Sequence, residues 1–215
     1  IISVPFKEGK KTYQRIIDNG TPLIFLNDTL EGMSDVDMVA WNAREASKTA
    51  MNHLISLGRK EIGFVGWDDG RRMIRARVEA YRNCLKREGI DLREDWMRLF
   101  PLEADISNHV VEMFSKKRRP DALFCGLDIY GIQVIGALEG MGLKVPEDVA
   151  VVGMGNQPGS EFPSISLSTV NSPNESIGAK AASLAIELIE QKQSCTGSRH
   201  LLHGDDLVIR RSTSI

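Results

Sequence analysis

Runs of uncharged, apolar residues separated by amphipathic stretches constrain this chain more than any other feature. PLIFL at 22–26, IGFV at 62–65, ALFC at 122–125 and VAVV at 149–152 contain no charge at all. A strand that is apolar at every position is covered on both faces, which is the condition of a parallel sheet sandwiched by helices. The intervening stretches supply those helices. Ala43–Leu57 places Ala46, Ala50, Leu54 and Leu57 on one face and closes on Gly58. Further helices are expected at Lys10–Asn19, Arg72–Arg87, Ser107–Lys117, Ile129–Met141 and Asn174–Gln191, and further strands at Ile1–Val4, Val36–Ala40, Met97–Phe100, Leu167–Val170 and Leu207–Arg210. The fold class is therefore α/β. In such sheets ligands bind beyond the carboxyl ends of the strands. The polar positions to watch are Asn27, Trp41-Asn42, Trp67-Asp68-Asp69, Leu127-Asp128 and Gly155-Asn156.

With 215 residues the chain is long enough to bury a sizeable core, as one large domain or two small ones. The formal charge is -2 and the one basic run, Lys116-Lys117-Arg118-Arg119 before Pro120, reads as a solvated helix end. These residues advertise no nucleic-acid surface. Cys84, Cys125 and Cys195 have neither metal nor disulfide spacing, which suits a reducing cytosol. No apolar stretch is long enough to span a membrane. His53 and His109 are read on helices, and His200 and His203 in a late loop. None of them stands with a Cys, Ser or Glu in a catalytic pattern. Gly153-Met154-Gly155 is too little for a dinucleotide fingerprint, and Asp68-Asp69-Gly70 is a turn signal first. No catalytic residue, metal site or cofactor is expected.

Binding is better supported. Arg71, Arg75 and Arg77 cluster at the start of a helix, where the dipole disfavours cations, so a ligand carboxylate or hydroxyl is a reason for their presence. Asp128 sits between an apolar strand and an apolar helix. It could cap that helix, bind a ligand or take part in catalysis, and capping is physically sufficient.

Five segments together resemble the effector-binding domain of the lactose/galactose repressor family of bacterial transcription regulators. They are HLISLGRKEIGFVG (53–66), IRARVEAYRNCLKREGI (74–90), RPDALFCGLDIYGIQVIGALEGMGLKVPEDVAVVGMGN (119–156), PSISLSTV (163–170) and LVIRRST (207–213). The third is most similar to the purine-repressor branch. The resemblance implies a periplasmic-binding-protein-like type I fold of two similar parallel-sheet subdomains with a ligand cleft between them. Residues 1–40 plus 174–191 would form the first subdomain, and 41–173 plus 192–215 the second. The chain begins Ile1-Ile2-Ser3-Val4-Pro5 without a Met and reads as a fragment. A helix-turn-helix, a hinge and the first strands would precede it, and the remaining half of the first subdomain is not expected to build a sheet alone.

The resemblance also carries site residues. Arg77 stands at the family's ligand-gripping arginine, Arg71 at a second arginine of the purine-repressor branch, and Asn27 in place of an aspartate that often touches ligand. Trp41 stands at the cleft wall, where an indole face could stack on a sugar or planar ring. Leu127-Asp128 replaces a frequent Asn-Asp, and Gly153-Met154-Gly155-Asn156 a frequent Gly-Phe-Asp-Asp, which puts Leu127, Asp128 and Gly155 against the ligand while removing its usual carboxylate. The implied effector is sugar-like, a nucleobase or a small anion, with an ordinary hexose disfavoured. The implied function is a cytoplasmic, homodimeric repressor or activator that binds operator DNA through the absent helix-turn-helix under allosteric control. The alternative on the same fold is an exported solute-binding protein of a sugar-type transporter.

Overall fold

The computed structural model describes every residue except Asp69, Asp205 and Ile215. In chain order the elements are β1 (Ile2–Ser3), α1 (Lys10–Asp18), β2 (Ile24–Leu26), β3 (Asp37–Trp41), α2 (Ala43–Ser56), β4 (Ile62–Trp67), α3 (Arg72–Arg87) and β5 (Met97–Phe100). They continue as α4 (Ser107–Phe114), β6 (Ala122–Cys125), α5 (Asp128–Gly140), β7 (Ala150–Gly155), β8 (Ser168–Asn171), α6 (Asn174–Glu190), β9 (Arg199–Leu202) and β10 (Leu207–Val208). The chain divides into two compact units. Unit 1 holds Ile1–Asn42 and Pro173–Gly204; unit 2 holds Ala43–Ser172 and Asp205–Ile215.

Unit 1 is a parallel sheet in the order β1-β2-β3-β9. Its two middle strands, β2 and β3, are the buried ones: Ile24, Phe25 and Val39 are shielded from water, as is Leu23 just before β2. α6 lays the stripe Ile177, Ala181, Leu184 and Leu188 on this sheet, spaced to fall on one helical face. Tyr13 of α1 packs edge-on against Phe25 and Phe6, with ring centroids 5.0 and 5.4 Å away.

Unit 2 is a six-stranded sheet in the order β10-β8-β7-β6-β4-β5, parallel except for β10 against β8. The period of two in its apolar strands is visible in the packing. Val65, Leu123, Cys125 and Val151 face a cluster built with Val110, Met113 and Phe114 of α4 and Tyr130, Val134 and Leu138 of α5. On the alternate positions Phe64 and Phe124 pack together and Phe64 meets Tyr81 of α3, while Met154 meets Ser47 of α2. Each such large side chain contributes about 1.5–3 kcal/mol when fully buried, so the two-sided covering accounts for the absence of charge in these strands.

Four expectations change. β9 takes residues read as loop, including His200, and pairs with β3. Residues 192–204 therefore belong with unit 1 rather than with the second subdomain, as do Trp41 and Asn42. With β9 as a fourth strand the residues of unit 1 do build a sheet, contrary to the expectation that they could not. The helix expected to reach Lys117 stops at Phe114, so Lys116–Arg119 lies in the exposed segment after it, where Arg118 donates to Glu61 at 2.7 Å and lies over the Trp96 ring.

Candidate functional site

The carboxyl edge of unit 2 gathers four of the seven expected site residues: Arg77, Leu127, Asp128 and Gly155. β6 ends at Cys125, and Gly126 then turns the chain into α5. Arg77, on the buried face of α3, donates through Nη1 to the Gly126 carbonyl and lies 4.8 Å from the centre of the Trp67 ring. It is 2% exposed. Burial lowers its guanidinium to about 9, opposed by the charge of Asp128, so it remains a cation at neutral pH. Leu127 is the residue before α5 and packs against the apolar cluster. Its side chain continues the core, which accounts for an aliphatic residue there.

Asp128 does not cap its own helix. Leu127 holds the capping position, and no side-chain cap bond forms. The Asp128 carboxylate is wholly buried and accepts from the Thr169 hydroxyl at 2.6 Å and from the Gln157 backbone N–H at 2.6 Å. Burial pushes its carboxyl up from the ordinary value, against Thr169, Gln157, Arg210 and Arg77, which favour the charged form. Gly153 makes the approach possible, because a Cβ there would collide with Asp128 Oδ1 and come within 2.9 Å of Leu167. Gly155 ends β7 with φ +123°, a conformation that favours glycine, and Asn156 follows at φ +50°. The glycines of GMG thus serve the carboxylate and the turn after β7.

Sequence reasoning left Thr169, Asn171 and Arg210 out of the site and put Asn156 only among the strand-end positions to watch. The Asn156 N–H donates to Thr169 Oγ1 at 3.2 Å, and the Thr169 hydroxyl in turn donates to Asp128. The Asn156 side chain accepts from Arg210 Nη2 at 2.8 Å and donates to Asn171 Oδ1 at 3.3 Å. Arg210 also donates to the Leu167 carbonyl at 2.7 Å, anchoring the terminal segment beneath the turn. Arg210 is the first arginine of the LVIRRST segment, but nothing local announces a partner 54 residues away.

Arg71 precedes α3 in an extended conformation and is half-buried. Arg75 is exposed. Asp68 accepts from Gly70 N–H at 3.0 Å, making the expected turn, while Asp69 lies outside the described residues. Asn27 and Trp41 lie at the carboxyl ends of β2 and β3, in unit 1. Asn27 takes φ +64°, and its side-chain oxygen accepts the Trp41 backbone N–H at 3.1 Å. Trp41 is 7% exposed and its Nε1 donates to the Gly204 carbonyl at 2.7 Å.

The cysteines and histidines of unit 2 are placed structurally. Cys125 is fully buried, which pushes its thiol up and keeps it from acting as a thiolate. His53 shares a 2.8 Å hydrogen bond with Thr213, and burial lowers it. Among the described residues no group of three or more His, Cys, Asp or Glu could hold a metal ion, and no helix is long and apolar enough to cross a membrane. What the edge offers is a polar array of hydrogen-bonded side chains at the carboxyl ends of the strands.

Comparison with known proteins gives the family of the chain. A periplasmic binding protein-like domain matches residues 51–213, well over half of the chain. EndR of Paenibacillus polymyxa, described as a probable HTH-type transcriptional regulator, is 28% identical over 196 residues, covering 90% of this chain and 57% of the relative. The HTH-type transcriptional repressor PurR of Yersinia enterocolitica is 30% identical over 158 residues, covering 73% and 46%. The chain thus spans about half the length of these relatives. Among solved structures, a sugar-binding transcriptional regulator of the LacI family from Escherichia coli, complexed with phosphate, shares the fold at a TM-score of 0.81. It is 23% identical, with 99% of this chain and 76% of that one covered. The chain belongs to the periplasmic binding protein-like domain family, and both curated relatives are described as HTH-type transcriptional regulators.

Proposed function

We propose that this chain is the effector-sensing part of a bacterial DNA-binding transcriptional regulator. The observation that carries the reading is the fixed polar edge of unit 2, built on a fold whose matched relatives are helix-turn-helix regulators. A small molecule held there by Arg77, with Arg71, Leu127, Asp128 and Gly155 shaping the place, changes the affinity of a DNA-binding segment for its operator. Asn27 and Trp41 hold the corresponding place in unit 1. Such control is allosteric only if the effector binds the two states of the regulator with different affinity. The protein works in the cytoplasm as a homodimer, matching the two-fold symmetry usual for operators, and performs no catalysis. Both curated relatives are regulators rather than exported solute-binding proteins, which favours this reading over the transporter alternative.

The test is operator affinity of the full-length protein, measured by fluorescence anisotropy with and without each compound that raises its melting temperature. A change of about 5- to 150-fold is expected for the true effector. Operator affinity unchanged by every compound that binds would exclude the switching role.

A further inference from the structure

The chain passes between unit 1 and unit 2 at three places: after Asn42, before Pro173 and after Gly204. In unit 1 these exits lie just past the end of β3, at the start of α6 and shortly after β9. Three separate crossings need not touch one another, yet Gly204 meets both of the others. Its carbonyl accepts the Trp41 indole N–H at 2.7 Å, across 163 residues of sequence. A Cβ at Gly204 would lie 2.3, 2.6 and 2.9 Å from Cδ, Cγ and Cβ of Pro173. A proline ring fused to the backbone cannot swing aside as a flexible side chain does. Glycine at 204 is therefore a demand of space, since only a residue without a side chain lets the two segments approach this closely.

Each side of the contact is anchored. β3 pairs Trp41 with Leu202 of β9, and the Leu202 carbonyl accepts the Asn42 N–H at 2.9 Å. The buried indole N–H needs an acceptor, and the Gly204 carbonyl is the one it has. Pro173 stands directly before α6, and its carbonyl accepts the N–H of Ile177, the first residue of the stripe that α6 lays on the sheet. A shift of Gly204 must push the Pro173 ring and pull on the indole together. Crossings that were independent would each relax alone.

We infer that Trp41, Pro173 and Gly204 form a clamp that makes the three exits of unit 1 open as one. Local opening in proteins occurs in cooperative units, and this clamp joins into one unit three segments far apart in sequence. On the effector-sensing reading, which this part of the inference rests on, a signal passes between the units in one step rather than three. The clamp itself is decided by an experiment that needs no effector.

The experiment is hydrogen exchange of the full-length protein, read by mass spectrometry over peptides that contain each crossing. Gly204→Ala forces a methyl into the Pro173 ring, and exchange is expected to rise by about tenfold or more at all three crossings. Adding Pro173→Ala removes the colliding Cδ and Cγ, and brings exchange back to within about threefold of Pro173→Ala alone. Trp41→Phe keeps an aromatic ring and deletes only the N–H donor. It raises exchange by about threefold or more both beside Trp41 and beside Gly204, and it serves if Gly204→Ala does not fold. Faster exchange confined to the substituted crossing in each variant overturns the clamp and leaves effector sensing standing. A double variant that exchanges no more slowly than Gly204→Ala overturns it as well. The operator assay decides the broader reading separately.

Discussion

Asp37 on β3 and Asp128 at the start of α5 are both completely shielded from solvent, yet their surroundings treat the charge in opposite ways. For Asp37, burial raises the carboxyl, but Ser198 and Thr196 each donate a hydroxyl and a backbone N–H to it, at 2.5 to 2.8 Å, and these bonds win: it lies below its ordinary value. For Asp128, burial again raises the carboxyl, and its two donors with two more distant arginines do not overcome it. The four-donor carboxylate ties the segment before β9 to β3 in unit 1 and serves the fold. The two-donor carboxylate stands under the turn after β7 in unit 2, at the edge proposed to hold the effector. A buried charge that is fully satisfied acts as a fastener, whereas perturbed carboxyls cluster at functional sites.

The largest effect is expected at the fastener. Asp37→Ala strands four donors in and around a buried site, and each unsatisfied buried group costs about 1–3 kcal/mol. A loss of about 3 kcal/mol or more in urea unfolding is predicted, and a loss under about 1 kcal/mol would show that the clamp is not structural. Gly153→Ala comes next, since its methyl would be forced against Asp128 and Leu167. Overpacking of this kind costs about 1–3 kcal/mol, and the displaced carboxylate should also weaken ligand binding, both readable in one thermal-shift titration.

The smallest effect is one of sign. Asp37 has its folded value below the unfolded value of about 3.9, so its contribution is complete above that value and is lost as pH falls through the folded one. Asp128 has its folded value above the unfolded one, so its contribution is greatest below the unfolded value and is lost as pH rises through the folded one. Stability measured against pH, wild type minus Asp37→Asn, should climb below about pH 4 and then level. Wild type minus Asp128→Asn should instead fall above about pH 4. Parallel curves would erase the distinction.

The fold was legible where local pattern and tertiary role agree. The uncharged runs at 62–65 and 122–125 became central strands because only a doubly covered sheet accepts them. β9 was illegible because RHLL is an edge strand whose residues alternate between exposed and half-buried, with two polar positions and no turn signal that distinguishes it from a loop. The site was legible only in part. A carboxylate between a strand and a helix reads as a cap, and Asp128 escapes that role through partners 29 and 41 residues distant. The same separation hid Asn171, which the register of β7 and β8 sets opposite Gly155, and Arg210, whose partner Asn156 lies 54 residues away.

The most direct test of the division between fastener and binding edge is the calorimetric affinity of the tightest small-molecule ligand for wild type, Asp37→Asn and Arg77→Lys. Lysine keeps the charge of Arg77 but loses the planar fork that reaches Gly126 and stacks on Trp67. The account predicts that Arg77→Lys weakens the ligand by about tenfold or more, while Asp37→Asn, though less stable, binds within about twofold of wild type. Equal weakening in both variants, or undiminished binding by Arg77→Lys, would contradict it.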